Sequence, residues 1–135
     1  MKKYNEIDIV ARTIYGEARG EGAAGMQAVA NVIMNRANSS VSWWGRSPVE
    51  VATRDRQFST WNEGDPNREI ILAVKRGDPI FDKAWKIAVK AVTGNLPDLT
   101  GGASHYHAVG IAPFWSASAV KSSEIGNHVF YRDVA

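Results

Sequence analysis

Two apolar stripes at helical spacing, separated by a short glycine-containing break, constrain this chain more than any other feature. Ile7, Val10, Ala11, Ile14, Tyr15 and Ala18 recur at steps of three and four, and Met26, Val29, Ala30, Ile33, Met34 and Ala37 do the same. That period marks one face of a helix packed against a core. Gly20 and Gly22 stand between the stripes, so one helix ends there and another begins. Helices with apolar faces of this width are expected to pack together. At about 100° per residue, Glu17 falls roughly 80° from the middle of the first face, at the border of core and solvent. Partial desolvation there disfavours the charged form, so the carboxyl group is expected to hold a proton near neutral pH. A general acid needs that property. A boundary glutamate that simply reaches into water is the alternative from the same geometry.

A chain of 135 residues suffices for one domain, here 1–135, that buries roughly two-thirds of its unfolded surface. The 44% hydrophobic and 22% charged content is that of an ordinary soluble globular protein. Cysteine is absent, which excludes disulfides, thiol nucleophiles and thiolate metal sites and fits folding in the cytosol. No apolar run approaches the ~20 residues that cross a bilayer, so membrane insertion is not expected. Glu6 and Asp8 interrupt any apolar region behind Lys2 and Lys3, and no secretory signal is expected in the chain as given. The net charge is +2 and the basic residues are dispersed, so nucleic acid is not an expected partner. With no coiled-coil pattern, a monomer is expected.

Further along, Asn38-Ser39-Ser40 closes the second helix, and Trp43-Trp44 lies in a turn-like segment whose pattern suggests an exposed contact surface. Ser47-Pro48-Val49-Glu50 combines a capping residue, a first-turn proline and the glutamate of a capping box. A short helix is expected from about Asn67 to Arg76. Asp78-Pro79 opens another, whose stripe of Phe81, Ala84, Trp85, Ala88 and Val92 ends at Gly94. Ser104–Val109 and His128–Arg132 read as strands that pair antiparallel, with a helical turn between them near Ala117–Ser122. The expected class is α+β, mainly α, with a small antiparallel β element near the C-terminus.

An embedded carboxylic acid suits cleavage of a glycosidic bond, because the leaving sugar oxygen must be protonated as the bond breaks. A conventional glycosidase needs a second carboxylate, and Glu21, Asp55, Glu63 and Asp65 are candidates that spacing does not separate. A lytic transglycosylase avoids that need, since the 6-hydroxyl of the substrate closes onto its own anomeric carbon.

Five segments in order carry a resemblance: Tyr15–Glu21, Ala28–Arg36 (AVANVIMNR), Gln57-Phe58-Ser59, Ala103–His107 (ASHYH) and Ile125–Tyr131 (IGNHVFY). Together they resemble the cell-wall hydrolase family of the spore cortex-lytic enzymes, which also occurs in bacteriophage lysins. The resemblance spans about residues 7–132. It implies a lysozyme-like catalytic domain acting on peptidoglycan glycan strands without a cofactor, and it aligns Glu17 with the family's catalytic glutamate. It favours cleavage between N-acetylmuramic acid and N-acetylglucosamine by a lytic transglycosylase. A muramidase or glucosaminidase using a second carboxylate is the alternative. The short, leaderless form resembles a phage lysis protein made in the cytoplasm and released through a holin-type pore; an excised catalytic domain would look the same.

The remaining site candidates are weaker. Strand alternation puts Tyr106 on one face and His105 and His107 on the other. The family pattern has an aromatic residue where His105 stands, while Tyr106 and His107 match it. Tyr106 or His107 is expected to line the cleft and bond sugar or the catalytic carboxylate. Gln57 and Ser59 flank a core Phe58 and are candidates for substrate contact. Trp61 and Trp115 are candidates for stacking on sugar rings. Arg36 is expected to pair with a carboxylate or helix carbonyls. His105, His107 and His128 admit a zinc-dependent amidase as a further alternative, although no metal is expected.

Overall fold

The computed structural model describes residues 2–54 and 57–134. Five helices form most of it: α1 (Lys2–Ala18), α2 (Gly22–Ala37), α3 (Pro48–Thr53), α4 (Pro66–Ala73) and α5 (Pro79–Val92). Three strands follow: β1 (His105–Ala108), β2 (Val120–Ile125) and β3 (His128–Arg132). The fold is mainly helical with a small antiparallel sheet at the C-terminal end, as the patterning indicated. No helix among the described residues is long and apolar enough to cross a membrane.

The first stripe is the centre of the molecule. Val10, Ala11 and Ile14 are fully buried, and α1 packs against α2, α3, α4 and α5. The break after Ala18 is a 3-10 turn, Arg19–Glu21, and Gly22 turns the chain into α2 at φ +77°. From α5, Phe81, Ala84, Ala88 and Ala91 complete the core, with Phe81 edge-on to Tyr15 at 5.7 Å. The starts of α3, α4 and α5 share one device: Ser47, Asp65 and Asp78 each cap a helix whose first turn holds a proline. The Glu50 arm of the expected box accepts from Arg46 N at 3.3 Å, one residue ahead of the cap.

Three expectations need correction. α4 ends at Ala73, because Val74 is already extended at ψ 143°. The helical turn expected near 117–122 lies earlier, as a 3-10 turn at Phe114–Ala117, and the strand β2 follows it; the sheet order is β1-β3-β2. Ile125 pairs with His128 across a two-residue Gly126-Asn127 turn in which Gly126 takes φ +57°. A glycine with positive φ at the first central position suits a tight hairpin, which converts the flanking residues into paired strands. Trp44 is only 7% exposed whereas Trp43 is 66% exposed, so the tandem tryptophans do not share one open surface.

The sheet meets the helices through Phe130, which is fully buried in the common core. Polar side chains along α2 fasten the loop that leads into β1. Gln27 Nε2 and Asn31 Nδ2 donate to Pro97 O, and Asn31 Oδ1 accepts from Leu99 N. Asn35 Nδ2 donates to Ala103 O at 2.8 Å. Residues 27, 31 and 35 are four apart and so lie on one helix face. That ladder fixes where β1 begins.

At the far end of α1, Gly16 lets the 3-10 turn Ser59–Trp61 approach closely. A methyl group at this position would overlap Thr60 Oγ1 and stand 2.8 Å from Ile71 Cγ2. Gly16→Ala should therefore destabilise the protein by about 1–3 kcal/mol, the usual cost of overpacking a filled site. Urea denaturation with an unchanged m-value would check this, and wild-type stability would refute the close-packing assignment.

Candidate active site

Glu17 lies one residue before the end of α1 and is partly buried. Each of its carboxylate oxygens meets a donor from a distant part of the chain. Tyr106 Oη, on β1, donates to Oε1 at 2.5 Å, and the backbone N–H of Thr60 donates to Oε2 at 3.1 Å. Burial, followed by the neighbouring Glu17 charge, pushes the Tyr106 phenol well above its ordinary pKa, so it remains a donor. A carboxylate has about four lone-pair sites, so two donors orient the group and leave capacity for a proton and a ligand.

The Glu17–Tyr106 bond joins the walls of two cavities. One, of about 360 Å³, is lined by Glu17, Arg19, Glu21, Asn67, Asn127 and His128 among others. The second, of about 330 Å³, is lined by Tyr106 with Arg36, Trp43, Trp44, Gln57, His105 and Trp115. Its floor is organised by Arg36, whose Nε donates to Ser104 O at 2.6 Å and whose Nη1 donates to Gln57 Oε1 at 2.7 Å. The guanidinium also lies against the Trp44 and Phe58 rings. Burial pulls Arg36 down to about 10, which still leaves it cationic at any working pH. Burial, and secondarily the Arg36 charge, pull His105 down to about 4, so its ring is neutral.

The other candidates from the sequence separate into several environments. Trp115 lines the second cavity and packs against His105, His107 and Tyr131. Gln57 also lines it, but its side chain is engaged with Arg36 and with Trp44 O. His107 stands on the face of β1 opposite Tyr106, bonded to Tyr131 Oη at 2.9 Å and Ala108 O at 2.8 Å. Its ring is thus tied into the sheet and does not reach Glu17. Ser59 is exposed and lines neither cavity. Trp61 donates its indole N–H to Thr13 Oγ1 and packs on the core, so it offers no platform for a sugar. Among the described residues, Arg36 pairs with neither a carboxylate nor a helix carbonyl.

Of the three further acids among the described residues, Glu21 alone lines a cavity with Glu17, and both its oxygens accept from Asn127. Asp65 is used as the cap of α4, and Glu63 lies exposed in the preceding loop. Asp55 lies outside the described residues. The three histidines do not converge: His128 pairs with Ala108 and packs on Tyr106, on the sheet face opposite His105 and His107. Sequence reading missed Thr60, because a backbone N–H has no residue signature. It also missed the link between Glu21 and Asn127, although both lie in the quoted motifs.

Comparison with known proteins places this architecture. The Cell Wall Hydrolase family matches residues 20–131 of the chain. The chain belongs to this family. Relatives of this cell wall hydrolase include the spore cortex-lytic enzyme of Oceanobacillus iheyensis, 32% identical over 133 residues, covering 93% of this chain and 41% of that protein. The spore cortex-lytic enzyme of Bacillus subtilis is 54% identical over 83 residues, covering 56% of this chain and 27% of that protein. The chain therefore spans less than half the length of the curated relatives it matches. Among solved structures, the catalytic domain of the Bacillus cereus SleB protein superposes with a TM-score of 0.75 and 28% identity. It covers 96% of this chain and 91% of that one. The catalytic domain of the germination-specific lytic transglycosylase SleB from Bacillus anthracis gives 0.73 and 29%, covering 95% and 94%. The family match begins three residues after Glu17, so the assignment of that residue rests on its geometry.

The depressed His105 has a consequence for stability. Between its ordinary value of 6.5 and its folded value of about 4, the unfolded chain accepts a proton that the folded chain refuses. Stability from this group is complete above about pH 6.5 and is lost as pH falls toward 4. His105→Gln should flatten the fall in Tm between pH 6.5 and 4.5, as followed by thermal denaturation in matched buffers. An unchanged slope would show that His105 is not the group responsible.

Proposed function

We propose that this cell wall hydrolase cleaves the β-1,4 bond between N-acetylmuramic acid and N-acetylglucosamine in peptidoglycan, acting as a lytic transglycosylase with Glu17 as its acid and base. The observation that carries this reading is the suspension of one carboxylate between two donors, with Glu17 lining one cavity and its partner Tyr106 lining a second. A polymeric substrate needs room on both sides of the bond that breaks, and a cavity on each side of the Glu17–Tyr106 bond supports this reading.

Protonated Glu17 gives its proton to the bridging oxygen as the bond to the anomeric carbon breaks. The resulting carboxylate is stabilised by the Tyr106 hydroxyl and the Thr60 N–H, donors set in place before charge develops. The 6-hydroxyl of the muramic residue then bonds to the same carbon, and its proton passes to Glu17. The acid is restored and a 1,6-anhydro end is formed, with no water consumed. The names of the relatives, spore cortex-lytic enzyme and lytic transglycosylase, support this chemistry. Trp115 and Tyr106 are assigned to substrate contact in the cleft. We also infer a catalytic unit comprising the whole chain, which carries the compact core and both cavities.

Glu21 supports a second reading, a hydrolase, because it lines the cavity of Glu17. Mass spectrometry of soluble products from purified peptidoglycan, with and without borohydride, separates the two. Transglycosylation yields anhydro ends that resist reduction; hydrolysis yields reducible ends about one water heavier. Glu17→Gln should abolish product release while retaining the wild-type Tm, and near-native turnover in that variant would remove Glu17 from the chemistry.

Tyr106→Phe takes away one donor to the carboxylate and keeps the ring. A hydrogen bond to a charged group is worth about 1.5–3 kcal/mol, so kcat/KM should fall about tenfold to a hundredfold. Turbidity kinetics on purified walls would measure this, and a loss below twofold would deny Tyr106 its role.

A further inference from the structure

His128 occupies an unusual position in the first cavity. It opens β3, directly after the Gly126-Asn127 turn, and its side chain is 14% exposed. Its ring packs edge-on against Tyr106 at 4.9 Å, the residue that bonds Glu17. Nδ1 is buried without a hydrogen-bond partner and stands 3.8 Å from Glu21 Oε1. With Nδ1 buried, that exposure falls on the rest of the ring, and His128 lines the cavity.

Glu21 is itself anchored. Asn127 donates to Oε1 from its backbone at 2.7 Å and to Oε2 from its side chain at 3.1 Å. The backbone bond, above all, holds Glu21 below the usual carboxylate range, so it stays ionised. An anion facing Nδ1 favours the tautomer with its proton on that nitrogen, which leaves Nε2 as an acceptor. The glycan strand of the proposed substrate is rich in donors, the sugar hydroxyls and the N–H of each acetamido group.

We propose that His128 is a substrate-binding residue of the Glu17 cleft, set by Glu21 so that Nε2 accepts a hydrogen bond from a sugar hydroxyl or acetamido N–H. This rests on the glycan-cleaving reading above. It makes the Glu21–His128 pair a positioning element distinct from the acid. It also gives Glu21 a task other than that of a second catalytic carboxylate.

Kinetics on soluble, uncross-linked glycan strands test it, with wild type, His128→Phe, His128→Gln, Glu21→Gln and the double variant of Glu21→Gln with His128→Phe. His128→Phe keeps an aromatic ring against Tyr106 and removes both nitrogens. KM should rise several-fold to about tenfold, the worth of one hydrogen bond, with kcat and Tm close to wild type. His128→Gln restores an acceptor and should recover part of the loss; it also serves if the phenylalanine variant does not fold. Glu21→Gln should raise KM by less, and the double variant should be no worse than His128→Phe, because both act through one bond. A wild-type KM in His128→Phe overturns the proposal, and losses that add in the double variant overturn the part given to Glu21. Calorimetric binding of the same strands to Glu17→Gln, with and without His128→Phe, reads the contact without turnover. If wild type releases no product, the cleavage reading fails, and that calorimetric comparison still decides His128.

Discussion

A carboxylate on the rim of a helical core can be held in one orientation only by donors from elsewhere in the chain, and the structure is arranged around supplying them to Glu17. Thr60 is 43 residues away and Tyr106 is 89 residues away. The end of α1, the turn at Ser59–Trp61 and the strand β1 must therefore hold fixed relative positions. Each constraint has its own cause. Gly16, lacking a side chain, lets the turn approach; the buried Phe130 seats the sheet on the helices; the α2 ladder sets the start of β1. Catalytic geometry of this kind needs precision well below an ångström, and rigid elements provide it better than loops.

Arg36 is the second convergence point. A buried cation with no carboxylate partner is costly unless its donors are filled. Here a backbone carbonyl and an amide oxygen accept from it at short range, and two aromatic faces cover it. The same contacts tie α2 to the residue before β1 and to Gln57, so one side chain spaces the walls of the second cavity. Its charge also helps keep His105 neutral. That ring sits between Trp44 and Trp115, where it does the work of an aromatic residue. The departure from the family pattern at this position is thereby accommodated.

Much of the helical architecture was legible because it follows from local rules: apolar residues at steps of three and four, prolines in first turns, and capping Ser and Asp. The sheet was legible only in part. Val120 to Ile125 is polar and lies at the sheet edge, so it lacks the apolar alternation of a half-buried strand. The signal that defines it is the two-residue Gly126-Asn127 turn beyond its end. At the site, helix position and the family resemblance pointed to Glu17, and the resemblance offered Tyr106 or His107, of which the structure brings Tyr106 to the carboxylate. Thr60 acts through its backbone, and Gly16 acts by what it lacks, so neither carries a chemical signature. Trp61 and Gln57 show the reverse: residue types suited to sugar contact, already engaged by Thr13 and Arg36.

Two glutamates four residues apart share one cavity, and their surroundings differ. Glu21 accepts two hydrogen bonds from Asn127, and the His128 ring stands 3.8 Å away. Those contacts keep it ionised, and a group held in its charged form is poorly suited to hand over a proton. Glu17 is bonded by a phenol and one backbone N–H, and it lines the first cavity. In the proposed reaction the single acid is sufficient, because the attacking hydroxyl belongs to the substrate and returns its proton to the group that began the step. The second glutamate is then free to hold the hairpin turn and the ring beside it.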